Sequence, residues 1–378
     1  MAAFTPQTLP AWRRAVLKVG SSLLAGSGGL DPVHARELAA FIAAARAQGR
    51  EVVLVSSGAV AAGRGRIGAA GNGIVQRQAL AALGQASLMG FWQSLSDVPV
   101  AQVLLTHDDL RNRRRYLNAR TALQALLQLG ALPVVNENDT VAVDELKLGD
   151  NDNLAAAVAS LVEADLLLIA TDIAGLYSGH PVQDPLARPI GRIEAVTPAV
   201  LAMAGGAGAL GTGGMRTKLE AAAKAAAAGI PTALFCGRDT GTVAALAGDV
   251  LHGTLVAAQG NRINARKQWL RHAPVAGMLE VDAGARAALL RGASLLPGGL
   301  RKVVGDFRRG DVIEVVGEDG QPLARGQAQY NAAEAARIAG RHSRDIESIL
   351  GFRYDEALVH RDDLVLLDGV AHPAEATT

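Results

Sequence analysis

Short apolar runs alternate regularly with longer amphipathic stretches along the first 236 residues of the chain. The apolar runs predict β-strands at residues 14–20, 51–58, 98–105, 131–138, 165–172 and 230–236. The stretches between them predict helices at residues 31–49, 75–95, 112–130, 153–164 and 215–229. Apolar strands that alternate with helices form a mainly parallel sheet covered on both faces. We therefore expect an α/β fold, a three-layer αβα sandwich.

The sequence pattern changes near residue 260. Residues 261–275 are polar, basic and proline-containing, which is typical of a linker. Short strands with frequent turns follow, among them the hairpin signal EDGQ at residues 318–321. We expect a large α/β domain at residues 1–260, a linker at 261–275, a small β-rich domain at 276–370 and a flexible tail at 371–378.

Charge and cysteine content exclude several classes of protein. The formal net charge is +1, from 37 Lys and Arg against 36 Asp and Glu, so neither a dedicated polyanion binder nor a membrane-surface protein is indicated. The single cysteine, Cys236, excludes an intramolecular disulfide and favours a reducing compartment. We find no signal peptide and no apolar stretch long enough to span a bilayer, so we expect a soluble cytoplasmic protein without a membrane partner.

Polar and glycine-rich segments follow four of the predicted strands, and another precedes the last helix of the large domain. The carboxyl ends of parallel strands share one edge of a sheet, so these segments should gather there. The densest is NENDTVAVDELKLGDNDN, residues 136–153, with ten Asn, Asp and Glu in eighteen positions. So many short polar groups directly after a buried strand indicate a site that holds charge.

The segment GTGGMRTK, residues 211–218, has the features of an anion site. Glycines allow backbone N–H groups to approach an anion, and a helix N-terminus adds partial positive charge. Lys18 and Lys218 could neutralise phosphate oxygens. Neither the Walker A pattern nor GxGxxG after the first strand is present, so neither of those two phosphate loops is indicated.

Each of these residues also has a purely structural interpretation. Lys18 could be an ordinary lysine at a strand end, and Ser57 could belong to a simple turn. We expect at least one of Asp152 and Asn153 to cap the following helix. The run RNRRR at residues 111–115 fits a solvated helix start better than a nucleic-acid patch, and the eight histidines lack metal-ligand spacing.

In their order along the chain, VLKVGSSLL, VSSGAVAAG, NENDTV, KLGDNDNLAA, ATDIAGLY and GTGGMRTK resemble the motifs of the amino acid kinase superfamily. They are most similar to those of the glutamate 5-kinase family, for which GDNDN with GTGGMRTK is a specific pairing. The segment VDAGARAALLRGASLLPGGLRKVVGDFRRGDVIEV resembles the PUA domain of many bacterial members. The resemblance implies an amino acid kinase domain with a PUA-like domain. It also implies ATP-dependent phosphorylation of the γ-carboxylate of L-glutamate to L-glutamyl 5-phosphate, the first step of proline biosynthesis.

The same resemblance implies roles for individual residues. The catalytic residues would be Lys18 and Lys218, with Asp152 holding the two lysines in place. The glutamate site would comprise Ser57, Asp139 and Asn151. The ATP site would comprise Lys18, Thr171, Asp172, Thr212, Gly213, Gly214, Met215, Arg216, Thr217 and Lys218. Arg216 departs from the family, which has Ser or Thr at this position.

The resemblance further implies Mg²⁺ with ATP as co-substrate, held by phosphates and without dedicated protein ligands. Implied partners are a homo-oligomer (dimer or tetramer), proline as a feedback inhibitor, and a transient contact with the downstream reductase.

Two alternatives remain open: another carboxylate acceptor, such as aspartate or N-acetylglutamate, and RNA binding through the PUA-like domain. Residues 275–369 contain 12 Lys and Arg against 15 Asp and Glu. A surface that tracks phosphates is normally basic, so we do not expect a nucleic-acid partner.

Overall fold

The computed structural model describes residues 3–68, 73–142, 151–179, 184, 186–204, 214–260, 270–271 and 273–367. The chain divides into two compact units, Met1–Arg262 and Ile263–Thr378. Most of the predicted linker and all of the predicted tail lie outside the described residues. Within the described part of the chain, no helix is long and apolar enough to cross a membrane.

The first unit alternates strands with helices along the chain. Its strands are β1 (Gln7–Thr8), β2 (Arg14–Val19), β3 (Ala25–Gly26), β4 (Gly29–Leu30), β5 (Glu51–Ser56), β6 (Val100–Leu105), β7 (Leu132–Glu137), β8 (Leu166–Thr171), β9 (Arg192–Ile193), β10 (Thr232–Cys236), β11 (Val250–Leu251) and β12 (Gly253–Val256). Its helices are α1 (Val33–Ala47), α2 (Ala59–Ile67), α3 (Ile74–Ser94), α4 (His107–Arg111), α5 (Arg113–Gln128), α6 (Asn151–Leu161), α7 (Pro198–Met203), α8 (Met215–Ala227) and α9 (Thr240–Leu246).

The central sheet of this unit is mainly parallel. Its strand order is β6-β7-β5-β2-β8-β10-β12-β9. All neighbours from β6 to β10 pair in parallel, and the antiparallel pair is β10 with β12. The six parallel strands therefore end at one edge of the sheet, which is where the polar segments were expected.

Helices cover both faces of the sheet. Consecutive strand residues point to opposite faces, and the residues on each face are buried against helices. Leu17 and Leu54 pack into a core formed with α1, α3 and α9. Val16 and Val53 pack into a second core formed with α5, α6 and α8. The three-layer αβα prediction is confirmed.

Two glycines bring α2 and α3 into close contact. A Cβ atom on Gly84 would lie 1.9 Å from the carbonyl oxygen of Ala59, and one on Gly63 would lie 2.0 Å from that of Leu80. No side chain fits at either position, so the spacing between these two helices depends on glycine.

The structure differs from the sequence-based expectation in two elements. Helix α6 begins at Asn151, so the prediction that Asp152 or Asn153 caps it is wrong: both lie within the first turn. No helix was predicted for the residues after Ser57 and Gly58, yet Ala59–Ile67 form the helix α2 despite Gly63 and Gly65.

The second unit is built on a five-stranded sheet. Its strands are β13 (Gly277–Val281), β14 (Leu300–Gly305), β15 (Val312–Gly317), β16 (Pro322–Gln327) and β17 (Leu364–Leu366), in the order β14-β13-β15-β16-β17. Its helices are α10 (Ala283–Leu290), α11 (Ala332–Ile338) and α12 (Ile346–Leu350). β15 and β16 form the hairpin predicted from EDGQ. Phe307, Val315 and Tyr330 belong to a core of its own, and the prediction of a small β-rich domain is confirmed.

Candidate active site

A buried ion cluster lies at the carboxyl edge of the large sheet. Lys18, near the end of β2, places its Nζ 2.6 Å from Oδ1 of Asp152. Lys218, in the first turns of α8, places its Nζ 3.3 Å from Oδ2 of the same carboxylate. Thr217 donates its hydroxyl to that Oδ2 at 2.8 Å. Asp152 is 1% exposed, Lys18 5% and Lys218 6%, so the cluster is almost closed to solvent.

The position of Lys18 follows from the pleat of β2. Its side chain shares a face with Val16, which packs into the core formed with α6 and α8. The strand therefore directs Lys18 toward the layer that contains Asp152 and Lys218. The sheet and two helices each supply one charged group, so the cluster exists only in the folded chain.

The two lysines keep Asp152 ionised in spite of its burial. Burial alone would raise the pKa of this carboxyl group. The positive charges of Lys18 and Lys218, and the hydrogen bonds from Lys18 and Thr217, oppose that effect and hold the pKa below its usual value. The arrangement thus presents two ammonium groups on either side of one fixed carboxylate.

The other described residues predicted for the ATP site lie outside the ion cluster, apart from Thr217. Thr171 ends β8 and donates its hydroxyl to the Asp172 carboxylate at 3.2 Å. Gly214 caps α8, and Met215 opens that helix. Arg216 is directed away from the ion cluster: it pairs with Glu220 at 3.0 Å, and its side chain is 64% exposed. Thr212 and Gly213 lie outside the described residues.

A second polar cluster lies beside the first. Asn151 immediately precedes Asp152 in α6, and its Nδ2 donates to Ser57 Oγ at 2.7 Å and to Asn136 Oδ1 at 3.0 Å. Asn151 and Asn136 are each 2% exposed. Consecutive residues of one helix turn therefore belong to the ion cluster and to an amide cluster, and place the two next to each other.

Asp139 follows β7 and is half-buried. Burial raises the pKa of its carboxyl group to about 6, although the positive charge of Arg77 lowers it. A buried carboxylate whose charged form is unfavourable is suited to bind a cationic group, which stabilises that form. Of the three residues predicted for glutamate, Ser57 and Asn151 are in direct contact, whereas Asp139 stands near Arg77.

Helix α3 contributes residues that the sequence analysis did not identify. Gln85 accepts a hydrogen bond from Asn136 Nδ2 at 3.0 Å, and Gln78 donates to the carbonyl oxygen of Ala142 at 3.3 Å. Together with Arg77, they place one face of α3 along the segment that follows β7. Asn136 lies in the quoted motif NENDTV, but no spacing in the sequence connects it to Gln85, 51 positions earlier.

No group of three His, Cys, Asp or Glu side chains suited to a metal ion occurs within the described residues. The cationic groups of the ion cluster instead suit an anion such as a polyphosphate.

Comparison with known proteins assigns both parts of the chain to known families. The model of the amino acid kinase family matches residues 13–236, and that of the PUA domain matches residues 277–350. The glutamate 5-kinase of Xanthomonas axonopodis pv. citri (strain 306) is 64% identical over 363 residues, which is 93% of this chain and 100% of that protein. The glutamate 5-kinase of Xylella fastidiosa (strain M12) is 60% identical over 375 residues, 96% of this chain and 98% of that protein.

Among solved structures, the crystal structure of UMP kinase from Bacillus anthracis is similar at a TM-score of 0.47 and 15% identity, covering 66% of this chain and 98% of that one. The family match spans more than half of the chain, and the two relatives match it almost end to end. This chain therefore belongs to the amino acid kinase family, and within it to the glutamate 5-kinases that carry a C-terminal PUA domain.

Proposed function

We propose that this protein transfers the γ-phosphoryl group of ATP to the γ-carboxylate of L-glutamate, giving L-glutamyl 5-phosphate, the first step of proline biosynthesis. The observation that carries the proposal is the adjacency of Asn151 and Asp152. Asn151 belongs to a cluster of neutral amides and a hydroxyl that suits an amino acid. Asp152 belongs to a cluster of cations that suits phosphate. The acceptor and the nucleotide would meet between them.

The chemistry requires positioning more than proton transfer. A γ-carboxylate is already ionised at neutral pH, so no strong general base is needed. The main barrier is charge that develops on the phosphoryl oxygens, which fixed cations relieve. Lys18 and Lys218 would contact those oxygens, and Asp152 would keep both ammonium groups oriented.

The acceptor side would recognise the amino acid through short polar groups. The α-ammonium of glutamate requires acceptors, and its α-carboxylate requires donors. The Asp139 carboxylate and the side-chain Oδ1 of Asn151 would accept hydrogen bonds from the ammonium. The hydroxyl of Ser57 can donate to the α-carboxylate. Short side chains lose little rotamer entropy when they are held in place.

Mg²⁺ would enter with ATP, held by the phosphates and water, and would neutralise part of the phosphate charge. Thr171, Asp172 and the segment from Thr212 to Lys218 would bind the rest of the nucleotide. Arg216, paired with Glu220 on the helix surface, would have no direct role at the phosphates.

The proposal extends to partners and location. The protein would act in the cytoplasm, which the single Cys236 and the use of ATP favour. It would form a dimer or tetramer, respond to proline as a feedback inhibitor, and contact the downstream reductase transiently because an acyl phosphate is labile.

The test is acceptor-dependent formation of an acyl phosphate. The purified protein with Mg-ATP is given glutamate, aspartate or N-acetylglutamate, and the product is trapped with hydroxylamine as a hydroxamate. We expect hydroxamate with glutamate alone. Turnover with another acceptor would assign a different substrate, and ATP hydrolysis without hydroxamate would contradict acyl-phosphate formation.

A further inference from the structure

A row of hydrogen-bonded side-chain amides connects helix α3 to the amide cluster at α6. Asn151 Nδ2 donates to Asn136 Oδ1 at 3.0 Å, and Asn136 Nδ2 donates to Gln85 Oε1 at 3.0 Å. Gln85 Nε2 then donates to Gln102 Oε1 at 3.4 Å. Asn136 faces α3 because it alternates along β7 with Leu132 and Val134, which pack on that side of the sheet. In each step the nitrogen of one amide meets the oxygen of the next.

This direction leaves one polar atom of Asn151 available. Its nitrogen has two hydrogens, and these go to Ser57 and Asn136. Its Oδ1 is buried and has no hydrogen-bond partner within the described residues. A buried acceptor without a donor is unfavourable, so the position favours a ligand that brings an N–H group. The row of amides thus turns an acceptor, not a donor, toward the ligand.

Gln85 is the member that sets this direction. An amide can rotate by half a turn and exchange its oxygen and nitrogen with little change of shape. If Gln85 offered no acceptor, Asn136 could rotate, and its nitrogen would then face the nitrogen of Asn151. Asn151 would rotate in response and present its nitrogen to the ligand. The Asn151 nitrogen and the α-ammonium, which are both donors, would then face each other.

We propose that Gln85 is a positioning residue for the acceptor amino acid, fixing the orientation of the Asn151 amide through Asn136. It does not touch the reacting atoms. The inference rests on the proposed function only in taking glutamate as the ligand.

The first test is Gln85→Met, which keeps the length of the side chain and removes both polar atoms. We expect the KM for glutamate to rise about five- to tenfold, as for the loss of one hydrogen bond. The kcat and the KM for ATP should stay within about twofold, because the ion cluster is untouched. The rise in melting temperature produced by saturating glutamate should shrink in parallel.

Two further variants distinguish a loss of Asn151 amide orientation from a general destabilisation of helix α3. Gln85→Glu retains an acceptor for Asn136 and should restore most of the glutamate affinity lost in Gln85→Met. Gln93→Met is the matched control on the same helix. Gln93 Nε2 donates to the carbonyl oxygen of Val98, and Gln93 Oε1 accepts from the N–H of Val100, the first residue of β6, at the amino edge of the sheet. Gln93→Met should therefore leave the KM for glutamate unchanged.

The outcomes distinguish this inference from the proposed function. If the wild-type protein forms no glutamyl phosphate, the proposed function fails. If the wild type is active and Gln85→Met has the wild-type KM for glutamate, the positioning role of Gln85 is wrong. Equal losses in Gln85→Met and Gln85→Glu, or in Gln85→Met and Gln93→Met, would also overturn it.

Discussion

Among single residues, Lys218 is expected to contribute most directly to catalysis through the positive charge of its side chain. Its ammonium group lies 3.3 Å from Asp152 and is almost fully buried. We expect Lys218→Ala to lower kcat by about 30- to 1,000-fold, or about 2–4 kcal/mol, as for other preorganised electrostatic groups. The KM for glutamate should change far less, because the charge is needed mainly in the transition state.

Lys224 provides the control for that measurement. It lies on the same helix, and its Nζ donates to Asn153 Oδ1 at 2.6 Å, outside the ion cluster. Lys224→Ala should keep the wild-type kcat. A folded Lys218→Ala protein with unchanged turnover would remove the residue from the mechanism.

Asp139 is expected to act on glutamate and not on ATP. A charged hydrogen bond to the α-ammonium contributes about 1.5–3 kcal/mol, so Asp139→Asn should raise the KM for glutamate about 10- to 100-fold. Because burial raises its pKa to about 6, the wild-type KM for glutamate should rise as the pH falls below that value. The Asn variant should lack this pH dependence. A selective rise in the KM for ATP would instead place Asp139 on the nucleotide side.

The raised pKa of Asp139 also predicts how stability depends on pH: lowering the pH should weaken glutamate binding but stabilise the fold. A carboxyl group whose pKa is raised in the folded protein binds protons more readily there than in the unfolded chain. Stability then falls as the pH rises through the window from about 4 to about 6. Asp139→Asn should melt at a higher temperature than the wild type at pH 7.5, and the difference should shrink toward pH 4.5. A lower melting temperature at pH 7.5 would indicate that Asp139 only shapes the turn.

At the scale of elements, the sequence was sufficient for the strands of the parallel sheet and for its main helices. Uninterrupted apolar runs such as residues 166–170 specify a strand buried on both faces, and this run forms most of β8. The start of α6 was missed because its first turn, Asn151 to Asn153, is polar and looks like a loop. Those side chains are held by Lys18, Lys218, Ser57 and Lys224, which come from distant parts of the chain.

The contact of Gln85, on α3, with the amide cluster also could not be predicted from the sequence, because it too depends on residues from distant parts of the chain. Hydrophobic periodicity predicts that residues 75–95 form a helix, but it does not say which loop the polar face will meet. Gln85 meets Asn136 because β7 lies between β6 and β5 in the sheet, and because Gly84 permits the close packing of α2. The strand order and the helix spacing are properties of the assembled unit, so this part of the site was visible only in the structure.

The packing of α2 against α3 gives a prediction about these elements. A Cβ atom at Gly84 would lie 1.9 Å from Ala59 O and 2.4 Å from Gly63 N, so the helices must separate to admit it. Gly84→Ala should destabilise the protein by about 1–3 kcal/mol or more, as overpacking does. It should also raise the KM for glutamate, because Gln85 is the next residue.

Gly90 on the same helix is the matched control. A Cβ atom there would have no neighbour within 4 Å. Gly90→Ala should therefore stabilise the helix by about 0.5–1 kcal/mol and leave the KM for glutamate unchanged. Melting temperatures and glutamate titrations of the two variants test the argument. Equal stability of Gly84→Ala and the wild type would show that the close contact is not present in solution.

At the scale of the whole molecule, the described site residues all belong to the first unit. The ion cluster, the amide row and Asp139 lie within Met1–Arg262. The second unit has a separate sheet and a separate core around Phe307 and Tyr330. Catalysis and any role of the PUA domain are therefore expected to be separable.

A chain that ends at Arg262 should consequently phosphorylate glutamate. The first unit keeps both of its cores, whose residues all precede that position, so it should fold without the second unit. We expect its kcat and both KM values to stay within about threefold of the full-length protein, a change below 1 kcal/mol. Far-UV circular dichroism and a cooperative melting transition establish that the fragment is folded. The hydroxamate assay then measures its activity beside the full-length protein and Lys218→Ala. A folded fragment as inactive as Lys218→Ala would show that the second unit completes the active site, and would overturn the division of labour proposed for the two units.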